Sequence, residues 1–334
     1  MSVTIIDVAR EAGVSRTTVS NVFTGKDKCS EETRLAVLAA AKHLGYKPNL
    51  AARSLITNQS RLIGMILPSY VDPNTLTSSP FYNIIMDSVY SVLRNEAYYD
   101  LIIFPVQYKE KLVQVSDWID ARNVDGILAV GEFDRNFLKV LKSKSIPVVL
   151  IDNYSQTSDA NFSYVNSDDT TGGYLATQHL IEKGFRNIAL CSVELHGPLM
   201  QKRYQGYKRA LKEAKLRETV FDKTGVPFEA GIQYAEALIA QGLDAAFCTE
   251  DMIAVGILHG LLKKGVKVGE DFGLVGFDNI YLGYQVYPEL TTVDQNIFEK
   301  GETATRTLLN ILNHSNSTGS RLVLPVNLVE REST

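Results

Sequence analysis

TIIDVAREAGVSRTTVSNVF, residues 4–23, is the stretch from which the rest of the reading follows. Thr4 followed by Asp7 is a capping-box start, and Ile5, Val8, Ala9 and Ala12 recur at helical spacing until Gly13 stops the helix. Val14 bridges a tight turn. Ser15 is a good N-cap, and Val19 and Val22 supply the apolar stripe of a second helix ending near Phe23. Two short helices joined at a glycine predict a helix-turn-helix, whose second helix can enter the DNA major groove with its N-terminal side chains toward the base edges. Arg16 and Thr17 are those side chains, with Asn21 one turn on.

Ser30 then predicts the cap of a third helix, with Leu35, Leu38, Ala41 and Leu44 on its apolar face and Gly45 at its end. Lys47-Pro48-Asn49-Leu50-Ala51-Ala52-Arg53-Ser54-Leu55 follows. DVAREAGVS, TVS, GYKPN and AARSL, in this order, resemble the lactose/galactose repressor (LacI/GalR) family of bacterial transcription regulators, and the resemblance runs on to LPVNLVEREST at the end of the chain.

The resemblance assigns roles in the head. Arg16 and Thr17 fall where the family reads bases, with Asn21 a third candidate, and an arginine there can make two hydrogen bonds to guanine. Ser15, Thr18 and Ser20 go to phosphates, because hydroxyls and helix-terminal amides position without specifying. Residues 49–55 resemble the family's hinge helix. Asn49 would cap it, Ala51 and Ala52 would let it pair closely with a partner's helix, Arg53 would meet DNA, and Leu55 would wedge into the minor groove. So short a helix is marginal alone, so it is expected to order only when paired and on DNA.

The net charge of -4 would by itself argue against nucleic acid, but its distribution does not. Residues 1–60 carry eight lysines and arginines against five acids, a balance of +3, which leaves -7 on the remainder. A basic head on an acidic body puts phosphate attraction at one end. With 334 residues and 45% hydrophobic content, the chain can bury the cores of more than one domain. No apolar run approaches membrane-spanning length and no leader precedes the first helix, so a cytoplasmic location with no membrane partner is expected. Cys29, Cys191 and Cys248 are scattered, as reduced thiols would be, and the five histidines lack metal-ligand spacing. No metal or cofactor is expected.

After the polar linker at 57–60, apolar runs alternate with helical patterns. Leu62–Leu67, Asp100–Phe104, Gly126–Val130 and Pro147–Ile151 read as strands, with helices at about 82–96, 109–122 and 136–144 between them. The order repeats. Strands at 188–193, 219–221, 245–248 and 272–277 alternate with helices at 204–215, 230–241 and 252–264. The fold class is therefore an all-α helix-turn-helix headpiece plus an α/β domain of two doubly wound parallel sheets. A strand near 290–293, a helix near 298–312 and a last strand at 321–328 close the chain. The resemblance implies a periplasmic-binding-protein-like architecture, with three strand crossovers joining the subdomains. The expected limits are 1–48 for the headpiece, 49–60 for the hinge and linker, and 61–334 for ligand binding and dimerisation. Within the last, the first subdomain takes about 61–163 and 292–319, and the second about 164–291 and 320–334.

PVVLID closes on Asp152 and GLVGFD closes on Asp278. Each aspartate alone could be a turn or cap residue, but ligands in open parallel sheets sit beyond the carboxyl ends of strands, and the matched placement aims both at one cleft. Arg203 matches the family's effector-binding arginine, and Asp152 and Asp278 its hydroxyl-binding acids. Phe228 and the pair Phe81 and Tyr82 are aromatic candidates for a sugar face, with core packing the other role open to Phe228. Glu250 departs from the asparagine more usual in the family, and the stretch YVDPNTLTSS lengthens the rim. No nucleotide-binding fingerprint and no catalytic triad has supporting context, Asp168 and Asp169 read as a helix cap, and an enzyme is not expected. What is expected is a homodimeric repressor of a carbohydrate operon that binds palindromic operator DNA and is released by a small sugar or sugar derivative. The alternatives are a catabolite-control-type regulator driven by a phosphocarrier protein and a purine-type corepressor response. The absence of a heptad tail after Leu328 argues against a coiled-coil tetramer.

Overall fold

The computed structural model describes residues 3–24, 29–46, 60–69, 79–97, 99–107, 112–154, 162–314 and 319–334. Its contacts divide the chain into an N-terminal unit and a large body. The hinge candidates Asn49, Ala52, Arg53 and Leu55 lie outside the described residues.

In the N-terminal unit, α1 (Ile5–Glu11), α2 (Arg16–Thr24) and α3 (Glu31–Leu44) pack around Val8, Ala9, Val19, Val37, Ala40 and Ala41. The Asp7 carboxylate accepts from the Thr4 N–H at 2.9 Å and from its hydroxyl at 2.7 Å, so the first helix starts as its sequence predicts. Ser30 accepts from the Thr33 N–H at 3.2 Å, and Gly45 ends α3 at φ 66°. The face of α3 is a correction. Leu35 and Leu38 are 56% and 37% exposed, while Val37, Ala40 and Ala41 are buried. Two phases of the helical repeat fit this sequence, and the one with small residues lets α3 approach its neighbours more closely.

Among the described residues, the body holds two six-stranded sheets. In the first, β1 (Leu62–Ser69), β2 (Asp100–Gln107), β3 (Gly126–Val130), β4 (Val148–Ile151), β5 (Ser163–Ser167) and β11 (Arg321–Leu324) lie in the order β11-β5-β4-β3-β1-β2. In the second, β6 (Ile188–Ser192), β7 (Thr219–Asp222), β8 (Ala245–Cys248), β9 (Gly273–Asp278), β10 (Thr291–Asp294) and β12 (Asn327–Val329) lie in the order β12-β10-β9-β8-β6-β7. The pairings of β3 with β4 and of β8 with β9 are parallel, and β12 joins β10 antiparallel. β3, β4 and β9 are buried throughout, which is why they read as unbroken apolar runs.

Helices α4 (Pro80–Val92), α5 (Leu112–Arg122), α6 (Arg135–Ser143) and α11 (Ile297–Asn313) belong to the first sheet's half, and α4 runs into a π-helical turn at Leu93–Ala97. Helices α7 (Asp169–Glu182), α8 (Pro198–Ala214), α9 (Pro227–Ala240) and α10 (Asp251–Lys263) belong to the second. The chain passes between the halves at 168, 295–296 and 325–326. Each crossing lies a few residues later than the sequence placed it. SYVNS at 163–167 is too polar to read as a strand, yet it is β5, and α7 behind it carries two glycines in its second turn. The expected last strand, 321–328, is two strands in different sheets, because Pro325 interrupts the ladder.

Those glycines set the spacing of the second half. A Cβ on Gly173 would stand 2.1 Å from the Arg203 carbonyl oxygen, and one on Gly206 would stand 2.2 Å from that of Thr170. Helices α7 and α8 touch backbone to backbone there. Gly206→Ala is therefore expected to cost about 1–3 kcal/mol, measured as a lower urea midpoint at unchanged denaturant slope.

Candidate functional site

Four non-glycine residues with positive φ gather at the strand ends and at the second crossing: Asp152 (53°), Asp278 (123°), Asn279 (58°) and Asn296 (50°). Such backbone is costly and persists where the surroundings over-determine it, which is typical of ligand sites. Asp152 follows β4 and Asp278 ends β9, so the two halves present equivalent carboxylates.

Arg203, on α8, is 2% exposed. Its Nε donates to Asp169 Oδ1 at 2.8 Å, its Nη1 donates to the Thr249 carbonyl and lies 3.6 Å from Asp278 Oδ1, and its Cζ stands 3.6 Å over the Phe277 ring. From Asp278 the chain of contacts continues across the crossing. Gln295 Nε2 donates to Asp278 Oδ1, and Lys300 Nζ donates to Gln295 Oε1 and to both oxygens of Asp152, at 2.7 and 2.9 Å. Lys300 is wholly buried, with the Phe81 ring centroid 5.6 Å from its ammonium. The Tyr154 hydroxyl lies on Asp169 Oδ2 and 2.7 Å from the Ser167 carbonyl. A continuous polar network thus joins both aspartates foreseen in the sequence.

Burial pushes Asp152 upward although Lys300 and Arg203 draw it down, and Asp278 is lifted well above the carboxylate range for the same reason. Glu250 is also raised by burial, against the pull of Arg203. Glu132, in the loop after β3, reaches the other half: its Oε1 accepts from the Leu199 N–H in the first turn of α8. Burial lifts Glu132 to about 7, and Asp152 and Asp169 add to the shift. Asp278 also borders an open cavity of about 400 Å³ lined by Ile84, Asn279, Asp294, Asn296 and Phe298.

Of the residues expected at the ligand site, Asp152, Asp278, Arg203 and Phe81 come together, and Tyr82 packs edge-on against Phe81 with centroids 5.2 Å apart. Glu250 sits at the N-terminus of α10, directly after Thr249. Phe228 does not join them: it packs against the second half's apolar cluster and lies 5.9 Å from the His259 ring. Of the acid pair, Asp168 does cap α7, accepting from the Thr171 N–H at 3.1 Å, but Asp169 is buried on Arg203. Lys300, Gln295, Glu132 and Tyr154 were not singled out in the sequence. One signal pointed to Lys300: it stands in the stripe Ile297, Lys300, Gly301, Ala304 and Leu308, where a charge has no place unless it is paired.

In the head, Ser15 Oγ accepts from the Thr18 N–H at 3.0 Å, as a cap should. Ser15, Arg16 and Thr17 are exposed at the start of α2, while Thr18, Ser20 and Asn21 are partly buried. This leaves a short polar helix end free to meet a groove.

Residues 4–49 match the family of bacterial regulatory proteins described as the lacI family, and residues 177–334 match a periplasmic binding protein-like domain. The HTH-type transcriptional repressor PurR of Haemophilus influenzae is 34% identical over 99% of this chain and 98% of its own. This chain belongs to the LacI family. Catabolite control protein A of Priestia megaterium is 32% identical over the full length of both. Among solved structures, the Lac repressor dimer bound to operator and the anti-inducer ONPF superposes with a TM-score of 0.86 at 25% identity, covering 100% of this chain and 99% of that one. A complex of the transcriptional regulator CelR with cellobiose gives 0.74 at 28% identity, over 99% and 100%. As a LacI-family member the protein is a DNA-binding transcriptional repressor, and its relatives are regulators rather than enzymes. Among the described residues, no helix is long and apolar enough to cross a membrane.

Two measurements probe the network. Lys300→Met leaves Asp152 buried without its ammonium and is expected to cost about 3–5 kcal/mol, with Asp152→Asn recovering much of the loss in the double variant. Glu132 carries the opposite sign from a salt-bridged acid. Its folded-state pKa, about 7, stands above the ordinary 4.5, so the folded protein holds a proton that the unfolded chain has released between those values. Stability from this group is full below pH 4.5 and falls as pH rises through 7. Glu132→Gln should reduce the difference between urea midpoints taken at about pH 5 and about pH 8.

Proposed function

We propose that this repressor controls a carbohydrate-utilisation operon, and that a small sugar or sugar derivative bound between the two halves of the body releases it from DNA. Two copies would place their α2 helices on successive half-sites of a palindromic operator. Closure around the ligand would weaken specific binding only if the ligand binds the low-affinity arrangement more tightly. The observation that carries the reading is the pairing of Asp152 and Asp278 at equivalent strand ends, linked through Gln295 and Lys300. Carboxylates so placed can accept from neighbouring hydroxyls, and Arg203 can donate to them. The cellobiose held by the CelR relative supports a sugar.

A second reading, a regulator driven by a protein partner, is favoured by the full-length similarity to catabolite control protein A. Replacing Arg203 would test both poorly, since its loss strands Asp169 in the interior. Asp278→Asn keeps the shape of the side chain and is the better probe. In a titration of operator-bound protein with sugars, the wild type is expected to release DNA and Asp278→Asn to stay bound. A wild type deaf to every sugar but responsive to a phosphocarrier protein would overturn the sugar reading, and release by purine bases would replace it with a nucleobase one. For the head, Arg16→Ala is expected to weaken operator binding by about 1–3 kcal/mol and to relax specificity at one base pair, read by gel shift against operator variants.

A further inference from the structure

On the reading that a small molecule binds in the cleft, the cations there, already committed to acids, bear on which ligand fits. Arg203 is committed to Asp169 and Asp278, and Lys300 to Asp152 and Gln295. The acids around them, Asp152, Asp278, Glu132 and Glu250, are all pushed upward by burial, so further negative charge is disfavoured here. An entering phosphate or carboxylate would have to take a cation from a buried aspartate or lie beside acids with no counter-charge, and either is unfavourable. Hydroxyl groups meet no such obstacle, because carboxylates accept from them.

Glu250 narrows the choice. It precedes α10 as its N-cap residue, yet its side chain does not bond the helix amides, and its carboxylate makes no hydrogen bond among the described residues. The residue before it, Thr249, gives its carbonyl to Arg203, and Asp278 feels the charge of Glu250 directly. The guanidinium that these carboxylates share is already matched twice over. A half-buried carboxyl group with acids for neighbours gains most from a donor that brings its own positive charge.

We propose that the cleft selects against anionic ligands and takes a hydroxyl-rich molecule bearing a primary amine, an amino sugar in class, with Glu250 meeting the ammonium. Glu250 is then the residue that sets specificity within the family's cleft, and Lys300 guards it by keeping Asp152 neutralised.

The test uses the full-length protein and matched probes: glucose, galactose and cellobiose, the 2-amino forms of the two hexoses, and their 6-phosphates, each titrated by calorimetry and followed by operator release. An amino form binding about tenfold more tightly than its parent, with the phosphate silent, is the expected result. Glu250→Gln should then bring the ratio between the amine and its parent to about one while still binding operator, which reports that it is folded. A phosphate that binds as tightly as its parent, or an amine that binds no better, overturns the proposal and leaves the small-molecule reading standing. If no probe binds or releases operator, the sugar reading falls, and this inference with it.

Discussion

Taking a guanidinium out of water costs several kcal/mol unless the surroundings replace what water supplied. Around Arg203 they do, with Asp169 and Asp278 for charge, the Thr249 carbonyl as acceptor for an N–H, and the face of Phe277 for the flat of the group. Those partners come from the start of α7 and the ends of β8 and β9, so one side chain fixes the carboxyl edge of the second sheet. The arrangement needs α8 to lie close against α7, and only the absence of side chains at Gly173 and Gly206 permits it. Helix spacing and site electrostatics are in this sense one constraint.

Carrying the network into the first half falls to a crossing segment, not to a sheet. Gln295 stands between strand β10 and helix α11 and touches Asp278 on one side and Lys300 on the other. Any rotation of one half against the other passes through residues 295 and 296, so it must be felt by the two carboxylates that a ligand would contact. That is the physical requirement for coupling a bound molecule to a rearrangement: the same bonds differ between the two states.

Much of this was legible in the sequence, for reasons that also explain the rest. Buried parallel strands such as β4 and β9 announce themselves as apolar runs, and the acid closing each run was visible as a pair. SYVNS was not, because its register with β4 and β11 is made by backbone, and a polar strand at that position looks like a loop. Helix α3 showed its period but not its phase, since leucines and alanines both recur at the right interval and only packing decides between them. Phe228 was open between two roles, and its contacts are those of the core. Asp169 was hidden behind its neighbour's cap, whereas Lys300 was legible in principle as a charge interrupting an apolar stripe. Pairings between residues far apart in the chain, such as Asp152 with Lys300, leave no local trace at all.

The threading of the chain has a consequence for its synthesis. Helix α11 covers β3, β4 and β5, packs against α4, and is followed by β11, which completes the first sheet. Both α11 and β11 belong to the half that is translated first, yet they arrive after every helix of the second half and five of its six strands. While a ribosome is still adding those residues, the first half has an uncovered sheet face and an unpaired edge at β5, and Asp152 has no ammonium beside it. Folding in order of synthesis is the rule for independent domains. Here the half begun first is finished only when the other is nearly complete, and the nascent chain must keep an apolar sheet face in solution until α11 emerges.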